Sequence, residues 1–205
     1  MIRAVVFDVG GVLVREQPLP VLWRQWSEPL GVPDTVVGEG IAAIDPEEMA
    51  TVGRLGEHDF FALVGQHFGV AAEVLTVLRL RLWDWYCSEL DDDMAGLAEA
   101  LRRRGCRTAI LSNSFDGARR EEQARYGFAA LFDPIVYSHE VGLAKPDPAV
   151  YAVTTSLLGV RANEVLFIDD RVENIEAATR FGWSGIVHHD VARTLQLVAA
   201  AVDAG

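Results

Sequence analysis

The sequence predicts an α/β protein in which a doubly wound, Rossmann-like parallel sheet carries a small all-helical cap domain. Short apolar runs rich in β-branched residues recur along the chain, and helical patterns separate the later runs. A long helical segment also interrupts this alternation after the first run. Strands that alternate with helices form βαβ units and a parallel sheet, which binds ligands outside the carboxyl ends of its strands.

The core elements follow from these runs in chain order. The first predicted strand covers residues 2–9, after which Gly10 and Gly11 permit a sharp turn. Four further strands are predicted at residues 107–112, 134–137, 164–168 and 184–188. Five helices are predicted at residues 94–104, about 117–126, 147–159, 172–181 and 190–201. These elements predict a core made of residues 1–14 and 91–205.

Residues 15–90 have no clear strand run, and we predict that they fold as a helical cap inserted after the first strand. Residues 57–68 and 71–90 have the pattern of amphipathic helices. Four of the five tryptophans lie in this segment, and they either form its own core or place one or two rings in a cleft above the sheet. They are Trp23, Trp26, Trp83 and Trp85.

Composition narrows the possible partners. The chain has 205 residues with 30 acidic and 18 basic side chains, for a net charge of −12. An acidic surface repels nucleic acids and anionic membranes, so neither is expected as a partner. No apolar stretch has the length of a membrane helix, and Asp8 interrupts the N-terminal apolar run, so we expect a cytoplasmic protein. Cys87 and Cys106 are expected to be reduced thiols.

Carboxylates stand at the ends of two predicted strands. Asp8 follows the first, and Asp169 and Asp170 follow the fourth. If these ends meet in one crevice, three carboxylates would repel one another unless a cation lay between them. Mg²⁺ is the natural ion for such oxygen ligands.

Three further polar residues are expected near these carboxylates. Ser112 and Asn113 follow the second strand, and Lys145, the only lysine of the chain, lies in the loop GLAKPDP. Hydrogen-bond donors and one positive charge suit a phosphate or another anion beside the metal.

Four motifs in order identify a resemblance that covers nearly the whole chain. FDVGGVLV, LSNS, GLAKPDPAVY and FIDDRVENIEAA resemble the four motifs of the haloacid dehalogenase (HAD) superfamily, whose members are mostly phosphatases. The stretches GRLGEHDFF and LFDPIVYSHEVGLAKPDPAVY are also similar to members with a helical cap after the first motif.

The resemblance implies roles for individual residues. Asp8 would be the nucleophile that becomes an aspartyl-phosphate, and Ser112 would hydrogen-bond a phosphoryl oxygen with help from the side chain or amide of Asn113. Lys145 would bridge Asp8 and the phosphate.

The resemblance also implies the metal site. Asp169 and Asp170 would hold Mg²⁺ together with Asp8 and the main-chain carbonyl of Gly10. Asn174 would order the loop after the two aspartates.

Gly10 departs from the usual phosphatase pattern, which has an aspartate there as general acid and base. Three explanations stay open. The protein is a phosphatase of a small soluble metabolite with a good leaving group, such as a sugar phosphate, or with another proton donor. Alternatively it is a 2-haloacid dehalogenase in which Asp8 attacks carbon, although Asp169 and Asp170 count against this. The third explanation is a binding or regulatory protein with little turnover.

Other candidates for the site are less specific. His58 and His139 are considered as substitutes for the missing acid, while His188 and His189 are expected to point to opposite faces of a strand. Cap residues that could contact the substrate are Arg15, Trp23, Trp26 and Arg54. The expected partner is a small phosphorylated molecule, and the chain is expected to be a monomer or a homodimer.

Overall fold

The computed structural model describes residues 1–203, which form one five-stranded sheet and ten α-helices. The strands are β1 (Ala4–Phe7), β2 (Arg107–Ser112), β3 (Ile135–Tyr137), β4 (Val165–Asp169) and β5 (Ser184–Val187). The first helices are α1 (Leu19–Leu30), α2 (Asp34–Ile44), α3 (Glu57–Phe68), α4 (Ala72–Tyr86) and α5 (Asp92–Arg103). The others are α6 (Ala118–Tyr126), α7 (Ser138–Val141), α8 (Pro148–Leu158), α9 (Val172–Phe181) and α10 (Val191–Asp203).

The sheet is parallel throughout, with the strand order β3-β2-β1-β4-β5. Phe7 of β1 aligns with Ile110 of β2 on one side and with Ile168 of β4 on the other. The order of the strands reverses at β1, which is where a doubly wound sheet opens a crevice at its carboxyl end. The predicted fold class is confirmed.

The strands are buried on both faces, and this explains their continuous apolar sequences. Val5 and Phe7 of β1 pack in a cluster with Met94 of α5, while Ala4 and Val6 pack on the opposite face with Tyr151 of α8. Helices therefore cover both faces of the sheet and hold its carboxyl edge in place.

Helices α1 to α4 form a separate apolar cluster between β1 and α5. Leu22 and Trp26 of α1 pack there with Phe61 of α3 and Leu78 of α4. The chain enters and leaves this segment side by side, because Val14 and Leu90 form an antiparallel bridge. The assignment of residues 15–90 to a cap domain remains a prediction.

Two details of the helical segment differ from the sequence-based expectation. Helix α4 ends at Tyr86 and not at residue 90, because Leu90 is extended in its bridge with Val14. Helices α1 and α2 were not assigned from the sequence. Prolines at the start of α1 and at Pro29 within it obscure its helical pattern.

Within the described residues, no helix combines the length and apolar character that crossing a membrane requires.

Cys87 and Cys106 are free thiols. Burial raises the pKa of Cys87 to about 12, so its thiol stays protonated at neutral pH.

Candidate active site at the carboxyl edge of the sheet

Three carboxylates meet where β1 and β4 end. Asp8, Asp169 and Asp170 each offer an oxygen atom, and these atoms lie within 4.8 Å of one another. Asp169 is fully buried, Asp8 is buried and Asp170 is half-buried. An all-oxygen cluster with these short separations fits a hard divalent cation such as Mg²⁺.

Lys145 joins two of the three carboxylates. Its Nζ atom lies 2.8 Å from Oδ2 of Asp8 and 2.7 Å from Oδ2 of Asp169. Burial disfavours the charged ammonium, but Asp8 and Asp169 outweigh this effect and raise the pKa of Lys145. The lysine therefore remains a cation in the site.

Asp169 and Asp170 differ in their surroundings. Both oxygens of Asp169 accept hydrogen bonds from Nδ2 of Asn174, at 2.9 and 3.1 Å, and Oδ1 also accepts from the backbone amide of Arg171 at 2.9 Å. Asn174 thus holds the side chain of Asp169 in place, while its role in ordering the loop after the two aspartates remains a prediction. Asp170 lines the cavity described below, where its carboxylate is available to an ion.

Burial and neighbouring charges shift the pKa values of two of these carboxyl groups. Burial raises the pKa of Asp8 to about 7, with Lys145 opposing the rise and Asp169 adding to it. Burial also raises the pKa of Asp170, and the charges of Asp169 and Glu16 add to the effect. A cation between the three carboxylates would favour their ionised forms, so the cluster is electrostatically incomplete with Lys145 alone.

A cavity of about 180 Å³ opens above the carboxylates. Asp169 lies beneath it, and the other predicted site residues line its wall. They are Asp8, Gly10, Ser112, Asn113, Lys145 and Asp170. The structure therefore brings together all of the residues predicted for the site, while their chemical roles remain proposals.

The side chain of Asn113 has a specific task in this wall. Its Nδ2 donates to the carbonyl of Lys145 at 2.9 Å, and its Oδ1 accepts from the amide of Lys145 at 2.8 Å. The amide group of Asn113 thus fixes the backbone that presents Lys145.

Gly10 and Gly11 differ in the space around them. A Cβ atom at Gly10 would have no neighbour within 4 Å, whereas one at Gly11 would lie 2.6 Å from Oδ2 of Asp170. Gly11 also has a φ of 70°, which side chains rarely adopt. The loop after β1 therefore has room for a Cβ atom at Gly10 but requires glycine at Gly11.

The expected cap contacts fall in different places. Arg15 lines the cavity beside Asp8 and pairs with Glu89 at 2.9 Å. Trp23 and Trp26 line a second, neighbouring cavity, and Arg54 is exposed and lines neither of these two.

The histidines also lie outside the wall of the first cavity. His58 is exposed, and Nδ1 of His139 lies 2.9 Å from Oγ of Ser114. His188 is buried against Thr194 while His189 is exposed, and both follow the end of β5 at Val187 instead of lying on the strand.

The sequence names Trp85 only as one of four tryptophans that could enter a cleft above the sheet, and it does not identify the other lining residues below. Trp85 and Tyr86, at the end of α4, line the first cavity together with Glu16, Gln17 and Arg171. The aromatic pair was visible in the sequence. However, its position above the sheet depends on where α4 ends, and the predicted end was wrong.

Comparison with known proteins assigns the family. The model of the haloacid dehalogenase-like hydrolases matches residues 2–182. The chain belongs to this family. It is therefore a HAD-like hydrolase, and the resemblance predicted from its four motifs is confirmed.

Curated relatives of this HAD-like hydrolase include a haloacid dehalogenase and an epoxide hydrolase. It is 30% identical to (S)-2-haloacid dehalogenase 1 of Pseudomonas sp. (strain CBS-3) over 90% of this chain and 83% of that protein. It is 25% identical to bifunctional epoxide hydrolase 2 of Mus musculus over 95% of this chain. The match covers only 38% of the length of the mouse protein.

Solved structures share the fold of the HAD-like hydrolase. A HAD family enzyme from Bacteroides thetaiotaomicron, in complex with magnesium and inorganic phosphate, superposes with a TM-score of 0.75 at 18% identity. The match covers 95% of this chain and 99% of the other. At this identity the similarity establishes the common fold.

Proposed function

We propose that this HAD-like hydrolase is a Mg²⁺-dependent phosphomonoester hydrolase that acts through Asp8. The observation that carries the proposal is the cluster of Asp8, Asp169 and Asp170, with oxygens within 4.8 Å of one another beside the ammonium of Lys145. A phosphate ester brings negative charge to this edge, and binding it requires a cation among the carboxylates.

In the first step, a carboxylate oxygen of Asp8 attacks phosphorus and the bond from phosphorus to the ester oxygen breaks. The leaving alkoxide takes a proton from solvent water, and Asp8 carries the phosphoryl group as a mixed anhydride. Ser112, at the end of β2, donates a hydrogen bond to a phosphoryl oxygen. Lys145 neutralises charge between Asp8 and the phosphoryl group.

In the second step, water attacks the phosphorus and gives up a proton to solvent, and the bond from phosphorus to the Asp8 oxygen breaks. Inorganic phosphate leaves and the Asp8 carboxylate is restored. Asp8, Asp170 and the carbonyl of Gly10 would hold Mg²⁺, with Asp169 contributing directly or through water. When bound, the ion supplies Lewis-acid stabilisation of the phosphoryl oxygens.

The absence of an acid at Gly10 limits the leaving group. General acid catalysis is worth roughly 10²- to 10⁴-fold in rate, so esters of acidic alcohols or esters protonated by solvent are favoured. A small phosphorylated molecule handled in the cytoplasm remains the proposed substrate, with the helical segment closing over it to exclude water.

A 2-haloacid dehalogenase is the second candidate, and the 30% identity to the Pseudomonas enzyme favours it. In that reaction Asp8 would attack carbon and halide would leave, so no leaving-group proton is needed. Displacement of a halide needs no cation, so it does not explain why the carboxylate of Asp170 faces the cavity beside Asp8. We therefore rank phosphate ester hydrolysis first. A binding protein with little turnover is the third candidate.

Release of phosphate from a panel of small phosphate esters tests the proposal. We expect release that requires Mg²⁺ and is lost in Asp8→Asn, which keeps the size of the side chain but removes the nucleophile. Release that survives in Asp8→Asn would contradict the role of Asp8. Halide release from 2-haloacids without phosphate release would favour the dehalogenase, and no release from either panel would favour the binding protein.

A further inference from the structure

A second cavity adjoins the first on the side of the helical segment. Its volume is about 240 Å³, and the two cavities share Trp85 and Tyr86 as a common boundary. Its accessible wall is entirely apolar. The wall is formed by residues of α1 to α4, by Ala50 and Leu55 in the loop before α3, and by Phe115 in the loop after β2.

Glu57 is the charged residue in this wall, and its carboxylate is not exposed to the cavity. Glu57 is a lining residue, but its Oε1 accepts from Nε1 of Trp83 at 2.8 Å, and its carboxylate pairs with Arg79 and Arg120 at 3.5 and 3.2 Å. A sugar, whose hydroxyls need hydrogen-bond partners, would find none on such a surface.

Trp26 contributes only apolar surface to this wall. It lines this cavity and is 1% exposed, and its Nε1 has no hydrogen-bond partner within the part of the chain that the structure describes. This nitrogen is buried away from the cavity surface, so a molecule in the cavity meets only the apolar part of the indole.

We propose that the apolar cavity binds the hydrocarbon part of the substrate, which is then an amphiphilic phosphate monoester and not a sugar phosphate. This inference rests on the proposed phosphatase activity. The phosphate would lie at Asp8 and Lys145. The hydrocarbon part of the substrate would pass the rings of Trp85 and Tyr86 into the second cavity. An apolar cavity of about 150 Å³ binds benzene, so this one has room for roughly ten carbon atoms.

A series of primary alkyl phosphates from ethyl to dodecyl tests the proposal, with glucose 6-phosphate as the sugar ester. The alkyl phosphates are esters of weakly acidic alcohols, so slow turnover is expected for the whole series, and only the dependence on chain length is compared. All are used below the concentration at which the longer ones form micelles. We expect kcat/KM to rise by up to about fourfold per methylene, which corresponds to about 0.8 kcal/mol for each buried CH₂, and to level off near ten carbons. Equal values along the series, or a preference for the sugar ester, would overturn the inference but leave the phosphatase proposal standing.

A pair of variants locates the effect. Ala50 lines the apolar cavity, whereas Ala62 lies on the exposed face of α3. We expect Ala50→Trp to fill the cavity and lower the ratio of kcat/KM for decyl over ethyl phosphate at least tenfold. Ala62→Trp, the matched control, should keep the ratio of the wild type. Equal ratios in the two variants would show that the alkyl group of the substrate binds outside this cavity.

Binding of alkylphosphonates provides a readout that does not depend on turnover or on the folding of a variant. These molecules carry the anionic head on a carbon–phosphorus bond. Because Trp23, Trp26 and Trp85 line the cavity, we expect decylphosphonate to change the tryptophan fluorescence at much lower concentration than ethylphosphonate. Equal affinities would overturn the inference even if no ester is hydrolysed, and tight decylphosphonate binding without hydrolysis would contradict only the phosphatase proposal.

Sedimentation of the wild type tests whether the apolar wall is instead an interface between two copies of this protein. A dimer that Ala50→Trp dissociates and that decylphosphonate does not affect would assign the cavity to an interface between copies of this chain. That outcome would overturn the inference.

Discussion

The ammonium of Lys145 lies 2.7 Å from Oδ2 of Asp169, a carboxylate with no exposed surface. Lys145 is the only lysine in a chain with 17 arginines, and it also pairs with Asp8. A compact ammonium can sit between two carboxylates in a space where a planar guanidinium would require more room. The lysine thus holds together the ends of β1 and β4, the two strands that carry the site.

Replacement of Lys145 should therefore affect stability as well as activity. Breaking a buried ion pair by removing one partner costs about 3–5 kcal/mol. We expect Lys145→Met to lower the free energy of unfolding by an amount in this range, as measured by urea denaturation in the presence of a chelator. Lys145→Arg keeps the charge and should lose less stability but most of the activity. Full activity in Lys145→Arg would contradict the need for a compact cation.

Asn113 should act as a positioning residue for Lys145. Asn113→Ala removes two hydrogen bonds to the backbone of Lys145, each worth about 1 kcal/mol. We expect a loss of about 2 kcal/mol in the free energy of unfolding and a lower kcat with a smaller change in KM. The exposed Asn163 offers a control, because Asn163→Ala should change neither quantity. A loss of stability without a change in kcat would reduce Asn113 to a structural role.

The strands and most core helices could be predicted because the parallel sheet is buried on both faces and leaves continuous apolar runs in the sequence. The grouping of the candidate site residues at one edge of the sheet could be predicted, because polar side chains at the ends of such strands are not needed for core packing. The position of Trp85 and Tyr86 could not, since it depends on the bridge between Val14 and Leu90, which joins residues far apart in the chain.

Gly11 should tolerate no side chain, in contrast to its neighbour Gly10. Gly11→Ala places a Cβ atom 2.6 Å from Oδ2 of Asp170 and forces alanine to adopt a φ of 70°. Such strain costs on the order of 1–3 kcal/mol, and we expect both lower thermal stability and weaker binding of Mg²⁺ by titration calorimetry. Gly10→Ala should keep the stability of the wild type, because its Cβ has no neighbour within 4 Å. Equal losses in the two variants would contradict this account.

An aspartate at Gly10 should improve the hydrolysis of poor leaving groups. A Cβ atom at Gly10 would have no neighbour within 4 Å, and general acid catalysis contributes roughly 10²- to 10⁴-fold. We expect Gly10→Asp to raise kcat most for esters of weakly acidic alcohols and least for aryl phosphates. Gly10→Asn, of the same size but without a proton to donate, should give no such dependence on the leaving group. A uniform change across the esters would indicate that the missing acid does not limit turnover.

Glu122 should make the stability of the fold depend on pH. It is 1% exposed in α6 and accepts a hydrogen bond from the hydroxyl of Tyr137, and burial raises its pKa from 4.5 to about 7. Below pH 4.5 the carboxyl is protonated in both the folded and the unfolded chain. Between pH 4.5 and 7 only the unfolded chain releases the proton, so the free energy of unfolding falls by up to about 3 kcal/mol.

Glu122→Gln should remove this dependence, because the amide is neutral and its oxygen still accepts from Tyr137. We expect the variant to gain up to about 3 kcal/mol over the wild type as the pH rises from 4.5 to 7.5, measured by urea denaturation at each pH. Glu121→Gln changes the same atoms at the preceding, partly exposed position and serves as the control. If the difference between Glu122→Gln and the wild type stayed constant with pH, Glu122 would be ionised in the folded protein. Its burial would then have to be balanced by the guanidinium of Arg119, which lies 4.9 Å from the centre of the Tyr137 ring.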